Sequence, residues 1–399
     1  MLFSSWLRNW KRSAPATRRR APASPRQRAG FRPRLEALED RWLPSTLTVT
    51  STSDGSAGSL RAEIAAAQSG DTIVFSPTLS SSSSSKPHHG GTTSTPATIT
   101  LTSGELDLTK NLTIQGPGAG QLTISGAGST STTQHGQKTS TMTRSRVFEI
   151  AQNATVTLSG LTISKGDGLA SSASVAPGDN YGGGILNHGT LTVSSCTVSG
   201  NSATYGGGIY NAGGTVTVST STLSGNMASE GGGIYNGGGT VAVSGSTLLG
   251  NQADDGGAIF NDATLMVSGC TVSSNVAYYG AGIWNSGTAT VSSSTLSDNA
   301  AKPTVQSYPF FNEGGGIFNH GTLVLSGCTV TGNFSEYEGG GIFNDGTVTV
   351  KNSSSITGNT ISADTATGYA AEDFDNLGVV YLDSTSTIGI LAGNPAIPI

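Results

Sequence analysis

From Tyr181 to Asn359, apolar and small polar residues alternate in short runs that return about every 25 positions. The unit Gly206 to Asn226 shows the pattern. Thr215-Val216-Thr217-Val218-Ser219 alternates polar with β-branched residues, and Ser221-Thr222-Leu223-Ser224 resumes the alternation after a one-residue break. A period of two predicts strands with one buried face. Gly208-Ile209-Tyr210 supplies a third short extended piece. Gly213-Gly214 and Gly225-Asn226 separate the pieces with residues that tolerate positive φ and turn the chain sharply. No apolar spacing of three or four is present, and the glycine, serine and threonine load opposes helix.

Three strands and three tight turns in so few residues cannot bury a face alone, so each unit must stack on the last. The spacing fixes the stack. Asn187, Asn211, Asn236, Asn261, Asn285, Asn319 and Asn344 recur at steps of 24, 25, 25, 24, 34 and 25. A second series, Asn201, Asn226, Asn251, Asn275, Asn299, Asn333 and Asn359, closes each unit. Ile185, Ile209, Ile234, Ile259, Ile283, Ile317 and Ile342 form one inward column. Val193, Val218, Val243, Val267, Val291, Leu325 and Val350 form another, and Val198, Leu223, Leu248, Val272, Leu296, Val330 and Ile356 a third. The prediction is a parallel β-helix with internal amide ladders of asparagine. Leucine-rich repeats need a leucine framework that is missing, and propeller blades need roughly 40 or more residues.

Composition adjusts this picture in two ways. The apolar share of 35% is ordinary once 57 glycines are added, but only 11% of residues are charged, as suits an extracellular solenoid. Charge is also segregated. Residues 1–41 carry 11 basic and 3 acidic residues, the remainder 9 and 22. An acidic body argues against nucleic-acid binding. Cys196, Cys270 and Cys328 fall nine residues after a repeat asparagine, in the column held elsewhere by Ser221, Ser246, Ser294 and Ser353. Neighbouring cysteines are thus two or three coils apart, about 10–14 Å at ~4.8 Å per coil, too far for a disulfide. They read as small buried residues, not metal ligands.

The chain divides into residues 1–45, a basic, proline-interrupted region without an apolar run; 46–165, a cap and irregular first coils; and 166–399, the regular coils and C-terminal coil. In the cap, Thr46-Leu47-Thr48-Val49-Thr50 reads as a strand, and Ser59 to Gln68 as a short amphipathic helix with Ser59 as N-cap, ended by Gly70. Such a helix suits a plug for the open end. Ser80–Pro96 (with His88-His89), Ser129–Ser145 and Gly166–Asn180 are poor in apolar residues and read as loops. No segment is long and apolar enough to span a membrane, and neither a cofactor motif nor a calcium loop is present.

Arg34-Leu35-Glu36-Ala37-Leu38-Glu39-Asp40-Arg41-Trp42-Leu43-Pro44 resembles a short motif near the N-terminus of large planctomycete proteins thought to be exported. Leu47 to about Asp383 resembles the right-handed β-helix proteins of planctomycete and other bacterial surfaces. Gly256-Gly257-Ala258-Ile259-Phe260-Asn261 is similar to the repeat of chlamydial polymorphic outer-membrane proteins. The resemblance implies right-handed winding and an extracellular or cell-surface location, and carries no catalytic residue across. The fold class expected is therefore all-β: a single-stranded right-handed parallel β-helix with a short N-terminal capping helix.

The chemistry concentrates before each glycine run. Tyr181, Tyr205, Glu230, Asp255, Tyr279, Glu313 and Glu338 form an outward ridge, beside a column of Asn180, Thr204, Ser229, Asp254, Tyr278, Asn312 and Tyr337. Aromatics and carboxylates at coil spacing suit an extended glycan, so Tyr181, Tyr205, Glu230, Asp255, Tyr279, Glu313, Tyr337 and Glu338 are the candidate ligand contacts. The insertion Lys302–Glu313, with Tyr308-Pro309-Phe310-Phe311, is expected beside the ridge, and Trp284 and Tyr210 one strand earlier. Three readings compete. The favoured one is a structural or adhesive module, with glycan binding along the ridge next. The third is a pectate-lyase-like polysaccharide hydrolase or lyase using Glu230, Asp254 and Asp255, with Glu230 and Asp255 on adjacent coils suiting a retaining pair, or a wider inverting one with Asp254. Against catalysis, the regular array contains only Lys302 and Lys351 as cations, and no calcium-arginine cluster. The plain alternative is that the ridge is a solvated turn position.

Overall fold

The computed structural model describes residues 43–80, 96–134, 137–168, 180–302, 312–362 and 369–399. Residues 1–42, His88-His89 and Tyr308-Pro309-Phe310-Phe311 lie outside these. Pro44–Ile399 forms one compact unit. It is a right-handed parallel β-helix, and the three expected apolar columns are in register.

One coil illustrates the path. A lone bridge at Glu230 leads into the strand Ile234–Ser244, then the strand Thr247–Leu249, and a bridge at Gln252 precedes the next ridge residue, Asp255. Every strand pairs with its counterpart one coil on: Ile234 with Ile259, Val243 with Val267, Leu248 with Val272. The strands assemble into parallel sheets of 22, 11 and 5 members, the last closed by an antiparallel edge strand, Tyr369–Ala371. The three apolar columns are completely buried and join one continuous core.

Two asparagine ladders run through that core with a common direction. In the first, each Nδ2 donates to the Oδ1 one coil further on, from Asn187 to Asn211 (2.9 Å) through Asn261 to Asn285 (2.7 Å) to Asn344 to Asn376 (2.8 Å). The degenerate coil at Asp375-Asn376 thus still supplies a rung. In the second, Asn226 donates to Asn251 (2.9 Å) and Asn251 to Asn275 (3.0 Å), while each Oδ1 also accepts a backbone N–H of the preceding rung. This ladder ends on a carboxylate: Asp373 Oδ1 accepts from Asn359 N and Nδ2, and Oδ2 from Ile390 N. An acceptor-only group is what a chain of donors needs as its last member.

The glycine run follows from the same packing. Gly206 has φ +65°, and a Cβ on Gly208 would stand 2.5 Å from Gly233 O of the next coil and against the Asn226 amide. Side chains are excluded there by the closeness of the coils.

At the N-terminal end the helix Leu60–Ala66 buries Leu60 and Ile64 against the first coils, and Ser59 Oγ accepts from Ala62 N. Its C-cap is Ala67 in extended conformation, with Gly70 turning the chain three residues later (φ +99°), so Gly70 is not the terminator itself. Two further expectations need correction. Ser129–Ser145 is no loop: Ala127–Gln134 and Gln137–Arg144 pair as an antiparallel hairpin. The serine equivalent to Cys328 is Ser354, not Ser353, because the coil gains a residue where Asn352 and Ser353 both take positive φ; Cys328 N donates to Ser354 Oγ. The three cysteines are free and buried.

Candidate functional site

Tyr181, Tyr205, Glu230, Asp255, Tyr279, Glu313 and Glu338 are joined by successive parallel bridges, one per coil, and all are half-buried. Asp254 and Tyr337 stand in the neighbouring column, where Asp254 O accepts from Tyr278 N and Asn312 O from Tyr337 N. Tyr337 is 44% exposed. All eight candidate contacts and the three candidate catalytic residues therefore lie on one side of the solenoid.

A second column beside the ridge carries more aromatic surface than the ridge itself. From Ile209 onward the residue between each core isoleucine and its asparagine is Tyr210, Tyr235, Phe260, Trp284, Phe318 or Phe343, and these six pair in register, with Leu186 in the same column of the coil before. Their rings stack along the axis with interplanar angles of 3–13° and centroids 4.0–6.2 Å apart. Trp284 and Tyr210 follow the ridge residue by five positions; they do not precede it by a strand. The stack has a consequence for recognition. Most ring faces cover one another, so solvent meets ring edges, hydroxyls and the carboxylates beside them. Tyr205 stacks on Tyr181 at 28° and stands edge-on to Tyr235 at 73°, and Tyr279 crosses Phe318 at 73°. The sequence signal was available, in an aromatic residue before six of the repeat asparagines.

Carboxylates gather at two levels of the strip. At the first, Glu230 and Asp255 are adjacent rungs, with Asp254 and Asp262 nearby. Tyr235 Oη donates to Asp262 (3.0 Å). Burial, then the charges of Glu230 and Asp254, push Asp255 up to about 7. Burial and the Asp262 charge also raise Glu230. At the second level, burial and then Glu338, Asp375 and Asp345 push Glu313 up to about 7.

The strip's other end holds a group that sequence reasoning missed. Glu105, Asp107 and Glu149 bring carboxylate oxygens within 4.8 Å of one another, a spacing open to a metal ion. A guanidinium already lies among them: Arg146 Nη1 meets Glu105 Oε2 at 2.6 Å and Glu149 Oε2 at 3.0 Å, while Nε donates to Tyr181 O. Two cavities of about 220 and 310 Å³ adjoin, lined by residues including Arg61, Lys110, Asp107 and Glu149, and neither takes a ridge residue.

The hairpin Ala127–Arg144 is inserted just ahead of the strand Phe148–Ile150. Among the described residues no helix is long and apolar enough to cross a membrane.

Residues 183–361 match the family described as Right handed beta helix region. That span holds six of the seven ridge residues and the whole aromatic stack, so the repeats of the β-helix are what the family model recognises. No curated protein matches the sequence. Among solved structures, Geobacillus virus E2 ORF18 shows a distant likeness at 9% identity and a TM-score of 0.35, covering 88% of this chain. The chain spans 59% of that protein's length.

Proposed function

We propose that the protein is an exported or cell-surface β-helix acting as a non-enzymatic structural and adhesive module, with the ridge and its aromatic stack as the contact strip for an extended polysaccharide. The observation that carries this reading is the unbroken register of the ridge across seven coils and of the stack across six, a long strip without a cavity of its own among those described. Recognition would use carboxylates accepting from sugar hydroxyls, tyrosine hydroxyls, and ring faces where they stand out of the stack. The test is a glycan array with the intact chain. Tyr205→Ala with Tyr279→Ala is expected to lose retention while the circular dichroism spectrum stays unchanged; unaltered retention rejects the strip.

A second reading is favoured by one observation. Asp255, pushed up to about 7 by burial and by the neighbouring Glu230 and Asp254 charges, sits on the rung next to Glu230 as one member of a glycan-cleaving carboxyl pair would. It predicts release of reducing or unsaturated sugar from acidic polysaccharides, lost in Glu230→Gln and in Asp255→Asn. Silence across a broad substrate panel removes it.

A further inference from the structure

From Tyr181 to Ile399 the chain carries only two lysines, Lys302 and Lys351, and no arginine. Lys351 ends the strand Thr347–Lys351, beyond the turn that follows the aromatic stack. Lys302 is exposed, and its backbone N–H donates to Ala277 O. Before the ridge, acids are matched with guanidinium groups: Asp54 with Arg61 at 2.9 Å, and Glu105 and Glu149 with Arg146 at 2.6 and 3.0 Å. Along the ridge this matching stops. Glu230 and Asp255 occupy adjacent rungs, Tyr279 the next, and Glu313 and Glu338 the two after it. Among the described residues no lysine or arginine forms an ion pair with any of these four carboxyls.

The missing positive charge is felt within the strip. Asp255 and Glu313 are both pushed up to about 7, by burial first and then by other carboxylates. The Tyr279 hydroxyl between them is raised by burial and by the charges of Glu313 and Asp255. A half-buried line of like charge is unfavourable in the folded chain, and a cation brought beside it offsets that cost where a neutral hydroxyl does not. The geometry narrows what can bring the cation. Ridge rungs follow one another at ~4.8 Å, and the aromatic stack keeps the same register alongside. A peptide strand laid along the axis turns side chains to one face only about every 6.6 Å, and so falls out of step within a few rungs. Pyranose rings linked through opposite corners advance by close to one coil per ring.

We propose that the strip selects polysaccharides carrying free amino groups, with the ammonium groups of successive sugar units opposite the ridge carboxylates. This rests on the contact strip proposed above and assigns the charge of its occupant. Glu230 with Asp255 and Glu313 with Glu338 form two acidic steps, and Tyr279 between them meets the sugar ring that bridges the steps. Polymers of uronic acids are turned away by the same field.

Calorimetric titration of the intact chain at low salt, with a chelator present, tests this with hexamers of β-1,4-linked glucosamine and of N-acetylglucosamine. The free amine is expected to bind roughly tenfold more tightly, which a few partly exposed ion pairs supply together. The preference should shrink as salt is added, and a uronic acid hexamer should not bind. Glu230→Gln with Asp255→Asn should bring the preference down toward one. Glu313→Gln with Glu338→Gln is the independent second pair should the first fold poorly by circular dichroism. Equal binding of the two hexamers, lost in Tyr205→Ala with Tyr279→Ala, removes the charge assignment and leaves the strip. Binding of neither hexamer in the wild type removes both. Binding of the uronic acid hexamer, a lysine hexapeptide that binds as tightly as the glucosamine hexamer, or a preference retained in both carboxyl variants also overturns the proposal.

Discussion

Replacing Asn251 by alanine tests whether the amide ladders carry stability or merely occupy space. Asn251 is completely buried. Its Nδ2 donates to Leu223 O and Asn275 Oδ1, both at 3.0 Å, and its Oδ1 accepts from Asn226 N (3.1 Å) and Asn226 Nδ2 (2.9 Å). Alanine removes all four bonds, but the neighbours suffer unequally. Asn226 Nδ2 keeps Val198 O, and Asn275 Oδ1 keeps the Asn251 backbone N–H. The Asn226 N–H loses its acceptor deep in the core, which costs about 1–3 kcal/mol, and the remaining bonds about 1 kcal/mol each. The sum is about 4–6 kcal/mol, a large share of what holds most domains folded. Urea unfolding followed by circular dichroism measures it, with the exposed Ser244→Ala as a control expected within about 0.5 kcal/mol of wild type. A loss below about 1 kcal/mol for Asn251→Ala would refute the energetic role given to the ladder.

Other consequences can be checked independently. Asp255 and Glu313 lie near 7 in the folded chain against ordinary values of 3.8 and 4.5, so stability should decline as pH rises from about 4 to 7 and then level off. Thermal unfolding across that window reads this, and Asp255→Asn should reduce the decline; a flat wild-type profile would remove the cause assigned here. Cys270→Ser should change stability by less than about 1 kcal/mol, because Ser246 and Ser294 hold the same position and bond Ser244 O and Ser292 O. Thiol labelling of the native protein should stay slow at all three cysteines, since each is buried and burial pushes its thiol up. Rapid labelling of Cys196 in folded protein would contradict its placement in the core.

The parts of the fold that repeat were the parts legible in the sequence. Ile234, Val243, Leu248 and Asn251 announce their roles because each has equivalents at one coil's distance, and parallel stacking converts equal spacing into contact. The aromatic stack repeats as faithfully, yet Tyr235 and Phe260 occupy outward positions where aromatic side chains carry no burial signal of their own. The acid cluster with Arg146 lacked any signal: Glu105 and Glu149 are more than 40 residues apart in irregular coils, and only the pairing of Leu106–Leu108 with Phe148–Ile150 brings them together. The hairpin Ala127–Arg144 was hidden by its serine and threonine content. Ser354 was displaced by a single added residue, which periodic counting passes over. The ridge itself was placed correctly, but what its rings present to solvent depends on their orientation, which spacing does not encode.

The direction of the second ladder bears on how such a chain changes length. Between Asn201 and Asn359 every coil offers the same acceptor to its predecessor and the same donor to its successor, so duplicating or deleting one whole unit there leaves no amide unmatched. Beyond Asp373 the rule changes, because a carboxylate has no N–H to pass forward. Lengthening by tandem duplication is chemically neutral on one side of that residue and obstructed on the other.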